Sequence, residues 1–140
     1  MSIQTAADEI RADFDFLEDW EARYAHIIDL GKSNPGLPEQ EKTEETRVRG
    51  CASQVWMALS STPDDGLSIR AESDAMIVSG LISLLIKLFS GASTDEILAF
   101  DAPGFLDEIG VTGALTAQRA NGLASMLARI HAAAGASAEA

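Results

Sequence analysis

The sequence predicts an α+β fold, a small antiparallel sheet of about three strands packed against several α-helices. Three observations carry this. Apolar residues recur at helical spacing up to Leu30 and again after Asp74, while between Arg47 and Glu72 the period changes to two. The period-two segments are joined by turn residues, with no helical crossover between them. At 140 residues the chain can bury a core without disulfides or metals, and a single domain is expected over residues 1–134, with a disordered, small-residue tail at 135–140.

Taken in order, Thr5-Ala6-Ala7-Asp8 has the form of a helix start, and Ile10, Phe14 and Leu17 follow at helical spacing before a break near Asp19. A second helix runs from about Trp20 to Leu30. Gly31 is placed to cap its C-terminal end, and Asn34-Pro35-Gly36-Leu37-Pro38 cannot continue it. The charged stretch to about Lys42 reads as surface loop. From Arg47, Val48 is set against two arginines, and after Cys51 the residues Val55, Met57 and Leu59 alternate with Gln54, Trp56 and Ala58, which predicts two strands. Pro63-Asp64-Asp65-Gly66 is turn chemistry, and Leu67, Ile69 and Ala71 against Ser68, Arg70 and Glu72 give the third strand. Cys51 then falls at the junction of the first two strands, where a loop can present it and strands can hold it.

Asp74 can cap a helix running to Phe89 that is apolar nearly all round except for the stripe Ser79, Ser83 and Lys87, the pattern of a central buried helix. Ser93-Thr94-Asp95-Glu96 is a capping-box start for a short helix to about Phe100, and Pro103-Gly104 opens another to Ile109. Thr116 caps the last helix, on which Leu123, Met126, Leu127 and Ile130 form one apolar face. Trp20 and Trp56 are expected in the core. There is no internal repeat.

Composition limits the partners. The balance of 22 acidic and 10 basic residues, a net charge of −12, argues against nucleic acid and against an anionic membrane surface. The longest apolar run, Leu81 to Phe89, is interrupted by Ser83 and Lys87 and is too short to span a bilayer. Asp8 and Glu9 come early, with no apolar segment before them, so no secretory signal and a reducing, cytoplasmic setting are expected.

Cys51 is the only cysteine. A solitary thiol makes no internal disulfide and does not supply the several soft ligands of a structural zinc or a cluster, which leaves a buried small side chain or a nucleophile. Its neighbours favour the second. Arg47 and Arg49, in an otherwise acidic chain, would stabilise the thiolate, and Gly50 removes a side chain where a reacting group must approach. His26 and His131 stand far apart in sequence on separate predicted helices, and no Cys-His pairing is suggested. Asp8, Asp13, Asp15, Glu18 and Asp19 read as a solvated acidic face, with the steering of a basic partner as the alternative. Arg119, near the start of the last helix, does not offset the helix dipole, and its plain reading is a surface ion pair.

The segment Glu44 to Trp56, centred on Val48-x-Gly50-Cys51-x-Ser53-Gln54-Val55-Trp56, resembles the sulfur-acceptor proteins of the SufE family, partners of cysteine desulfurases in iron-sulfur cluster assembly. The resemblance extends upstream to Trp20-Glu21-x-Arg23-Tyr24-x-x-Ile27-Ile28-x-Leu30-Gly31-Lys32 and Leu37-Pro38. Downstream it takes in Ser73-Asp74-Ala75, Ile77-Val78-x-Gly80-Leu81 and Leu115-Thr116-x-x-Arg119-x-Asn121-Gly122-Leu123. Met57 after Trp56 is a mild departure that should alter only packing.

The resemblance implies a SufE/IscU-like fold and a definite chemistry. A cysteine desulfurase of the SufS or CsdA type would use its own pyridoxal phosphate to place a persulfide on its cysteine. Cys51 would take that sulfur, activating the desulfurase, and pass it to a SufBCD scaffold. Cys51 is then the persulfide intermediate, with Gly50, Ser53, Gln54, Asp74 and Arg119 supporting it or meeting the partner. No metal and no cofactor of the chain's own are implied. A carrier persulfide must be shielded yet deliverable, so the Cys51 side chain is expected to pack against an apolar hollow and turn outward on docking. Whether the chain is of the SufE or the CsdE kind, and monomer or homodimer, stays open. Two other classes compete: an IscU-like cluster scaffold, which would need more cysteines than this chain has, and an interaction domain with an inert cysteine, which would resist alkylation.

Overall fold

A computed structural model describes residues 2–50, 53–62 and 66–139, with 61–62 and 136–139 described by their backbone alone. Helix α1 spans Ile3–Asp15 and starts earlier than the Thr5 motif suggests, because the Ser2 hydroxyl accepts from the Thr5 amide at 3.2 Å. Asp19, where a break is expected, is the N-cap of α2 (Trp20–Gly31) and accepts from the Ala22 amide at 2.8 Å. The expected cap at Gly31 is corrected. The helix ends through Lys32, while Gly31 lies against α3 (Met76–Phe89), where an added Cβ would meet the Gly80 nitrogen at 2.6 Å. Gly80 is tighter still, its hypothetical Cβ 1.9 Å from the Ile27 carbonyl oxygen. Two glycines let α2 and α3 touch backbone to backbone.

The α+β class holds, with a sheet of two strands among the described residues, β1 (Val55–Thr62) and β2 (Gly66–Ser73), paired antiparallel from Val55↔Ser73 to Thr62↔Gly66. The third strand expected at Arg47–Val48 is reduced to the isolated bridge Arg47↔Trp56. Two hydrogen bonds tie it to β1, Val48 N–H to Val55 O at 2.8 Å and Met57 N–H to Thr46 O at 2.7 Å. The physical reason is length: Arg49 and Gly50 are already in a turn, and Gly50 adopts φ +88°. On the inner face Val55, Met57, Leu67, Ile69 and Ala71 are buried. On the outer face Lys42 bridges to Glu72 at 2.5 Å and stands 5.4 Å from the Trp56 ring centroid, with Arg47 at 5.6 Å.

Helix α3 (Met76–Phe89) is the central helix, in contact with α1, α2, β2 and α6 (Ala117–Glu139). Its buried residues, among them Leu81, Ile82, Leu85 and Phe89, face every neighbouring element. The cap expected from Asp74 is not made; Ala75 occupies the N-cap without a side-chain bond, and Asp74 is engaged elsewhere. Ser93 caps α4 (Thr94–Ala99), but the reciprocal half of the capping box is diverted, since Glu96 accepts from the Ile3 amide of α1 at 2.8 Å. Asp101 caps α5 (Ala102–Glu108), and Thr116 accepts from the Arg119 amide at the start of α6 (Ala117–Glu139). Leu123, Met126, Leu127 and Ile130 are buried on α6. The backbone of residues 135–139 continues this helix.

Trp20 is not in the core but 58 % exposed at the start of α2, close in sequence to the exposed Phe16. Trp56 is half-buried under its two cations. Ring size alone points both indoles inward, whereas position at a helix start and on the outer sheet face decides their exposure.

Candidate functional site

The chain leaves the bridge at Arg47–Val48 and returns as β1 at Val55, and the hydrogen bond from Val48 to Val55 closes the ends of this excursion. It includes Cys51 and Ala52, which lie outside the described residues, so the expected inward packing of the thiol falls there too. The residues on either side are well placed to define the segment. Gly50, at φ +88°, sits so close to α6 that an added Cβ would meet Ser125 Oγ at 2.6 Å. Ser53 accepts a short hydrogen bond from the Arg119 guanidinium, so Arg119 of α6 reaches the cysteine-bearing segment.

Gln54 is joined to Asp74 twice. The Gln54 amide donates to the Asp74 carboxylate at 3.0 Å, and the Asp74 amide donates to the Gln54 carbonyl at 3.3 Å. The Gln54 side chain itself is exposed. Asp74 lies at the end of β2 just before α3, so this pair fastens the segment to the sheet and the central helix together.

A residue that sequence reasoning missed completes the arrangement. Arg129 of α6 donates to the carbonyls of Arg47, at 2.8 Å, and of Glu45. Helix α6 therefore holds the approach through Arg129, meets Gly50 at Ser125 and reaches Ser53 through Arg119. A signal for it exists in the sequence: at helical spacing Arg129 falls on the same side of the helix as Arg119 and Ser125.

The two arginines expected to favour the thiolate are each occupied. Arg49 pairs with Glu44 at 2.6 Å in an exposed ion pair, and Arg47 stands over Trp56. Beside Ser53 and Arg119 lies a small hollow of ≈10 Å³ walled by Val78, Leu81, Leu123 and Met126. That is about the room one water molecule needs, and Gln118 lines it as well. His26 stacks edge-on against Phe14 at 5.1 Å and His131 lines a groove on α6, so the described structure brings neither histidine to this segment. Of the acidic N-terminal residues, Asp8 pairs with Arg11 at 2.8 Å, Asp13 approaches Lys87 at 3.7 Å and Asp19 caps α2. No helix among the described residues is long and apolar enough to cross a membrane.

Comparison with known proteins places this architecture. A family model described as "SufE: Fe-S metabolism associated domain" matches residues 8–134. An uncharacterized SufE-like protein of Rhizobium meliloti (strain 1021) is 46 % identical over 129 residues, 90 % of this chain and 92 % of that protein. A second SufE-like protein, from Rhizobium etli, is 44 % identical over 126 residues, covering 88 % of this chain and 85 % of its own. The solution structure of a hypothetical protein from Thermus thermophilus shares the fold, with a TM-score of 0.78 at 20 % identity over 96 % of this chain and 97 % of that one. With the family match running across nearly the whole chain and including Cys51, this protein belongs to the SufE family of Fe-S metabolism.

Proposed function

We propose that this chain accepts sulfur from a pyridoxal-phosphate cysteine desulfurase on Cys51 and delivers it to a cluster-building scaffold of the SufBCD kind. The observation that carries the reading is the chain's only cysteine, inside the family match, with described residues on both sides of it held against α6. In the transfer the Cys51 thiolate attacks the outer sulfur of the desulfurase persulfide. The donor's sulfur-sulfur bond breaks and its cysteine leaves as thiolate. A new sulfur-sulfur bond makes Cys51 the persulfide, and no net oxidant or reductant is consumed. The pyridoxal phosphate is the partner's.

In this mechanism Arg119 and Asp74 are positioning residues. Arg119 fixes Ser53 and Asp74 fixes the Gln54 backbone, so the residues that follow the cysteine-bearing stretch are held to α6 and to the start of α3. Gly50 lets the segment lie close against α6, where any side chain would crowd Ser125.

Intact mass spectrometry after incubation with an active desulfurase and cysteine tests the reading. A reductant-reversible gain of sulfur on the Cys51 peptide, absent in Cys51→Ser, is the expected outcome; no gain with a demonstrably active desulfurase would return the chain to the inert-cysteine class. Arg119→Ala should slow acceptance roughly tenfold at unchanged melting temperature, below the ~10²-fold that a 1 Å misplacement can cost. A merely structural arginine would lower the melting temperature and leave single-turnover transfer in the folded fraction intact.

A further inference from the structure

Opposite the side of α6 that holds the cysteine-bearing segment, the helix borders an apolar groove of ≈590 Å³ shared with α5. At 3.6 residues per turn, Arg119, Ser125 and Arg129 project from one side and Ala120, Ala124, Leu127, Ala128 and His131 from the other. Leu106, Leu123 and Leu127, all buried, make the floor. Ala120, Ala124 and Ala128 make the wall, with Ala124 and Ala128 exposed to solvent. From Ala120 to His131 this stripe runs for about 16 Å, three helical turns.

The charge at the rim is of one sign. Asp101 and Asp107 are exposed at the groove, and no lysine or arginine is among the described residues lining it. Asp101 is half committed to capping α5, whereas no hydrogen bond or ion pair ties the Asp107 carboxylate among the described residues. We propose that this groove docks an amphipathic helix of a partner protein, an apolar row against the leucine floor and lysines or arginines along its flank meeting Asp101 and Asp107. The alanine wall lets the visiting backbone approach closely, and a three-turn stripe matches anchors at i, i+3, i+4 and i+7. A second copy is the poorer occupant, because both chains bring the same acidic rim and a net charge of −12. Occupation of the groove leaves the Gly50 and Ser53 side of α6 uncovered, so one protein can be held there while another engages the cysteine-bearing segment.

The inference does not depend on the sulfur-acceptor reading, and its test reads the groove alone. The probe is a synthetic helical peptide with leucines at i, i+3, i+4 and i+7 and flanking lysines, titrated into the methyl-labelled full chain and followed by NMR. Expected are saturable shifts at Leu106, Leu123 and Leu127, weaker binding at higher salt, and at least tenfold weaker binding to Ala124→Gln, which narrows the groove, and to Asp107→Lys, which reverses the rim. The same peptide with glutamates for lysines should not bind. Absence of saturable shifts, shifts centred elsewhere, or equal affinity for the two peptides or for both folded variants would overturn the proposal. Sedimentation showing self-association, with the groove methyls shifting on dilution, would assign the face to a second copy and overturn it likewise.

Discussion

At the scale of single residues, Gly80 is the position with least latitude. Its hypothetical Cβ falls 1.9 Å from a backbone oxygen of α2, and backbone cannot give way as a side-chain tip can. Gly80→Ala should therefore cost about 3 kcal/mol in urea unfolding, the overpacking regime of a tight core. Gly113→Ala, with nothing within 4 Å of the added carbon, should change stability by no more than about 0.5 kcal/mol. The same pair of helices explains one limit of reading sequence. Gly31 at the end of an apolar run looks like a cap, because the residue it serves, Gly80, lies in a distant part of the chain. Asp74 misleads for a related reason: a carboxylate just before a helix is a cap by local rule, but here the amide of Gln54, the residue before β1, takes it. Local chemistry marks both residues as special and cannot name their partners.

At the scale of elements, periodicity locates the helices and both strands of the hairpin, since amphipathic spacing survives folding unchanged. What it does not show is how a strand ends. Val48 alternates correctly, yet the turn at Arg49 and Gly50 leaves room for a bridge only. The outer face of the hairpin also escapes it, being built from a loop lysine, a bridge arginine and cross-strand neighbours. There Glu72 accepts from Lys42 and from the Leu37 amide, and these bonds hold its carboxyl below the ordinary glutamate range; Arg70 lowers Glu41 in the same way. Because the folded values lie below the unfolded ones, the stabilisation is complete above the ordinary carboxylate pKa of about 4.3 and is lost as pH falls through the folded values. Glu72→Gln should lower the melting temperature at neutral pH and flatten its decline on acidification. A parallel decline in variant and wild type would remove Glu72 from this role.

At the scale of the whole molecule, two helices divide the work. Helix α3 joins the layers, so Leu85→Ala, at a fully buried site, should cost about 2–5 kcal/mol in chemical denaturation, and the amides of α3 should exchange slowest with solvent. Helix α6 instead serves the candidate site, gripping the chain on both sides of Cys51 through Arg129, Ser125 and Arg119. Little of that division is visible in sequence, where α6 reads only as an apolar face with a capping threonine. The cation-flanked Trp56 has a use of its own. It stands on β1 shortly after the cysteine-bearing segment, against the bridge residue Arg47, and the only other tryptophan is the exposed Trp20. With Trp20 replaced by phenylalanine, the protein would carry a single indole whose emission answers to the posture of its neighbouring cations, an optical gauge of partner arrival that needs no added label.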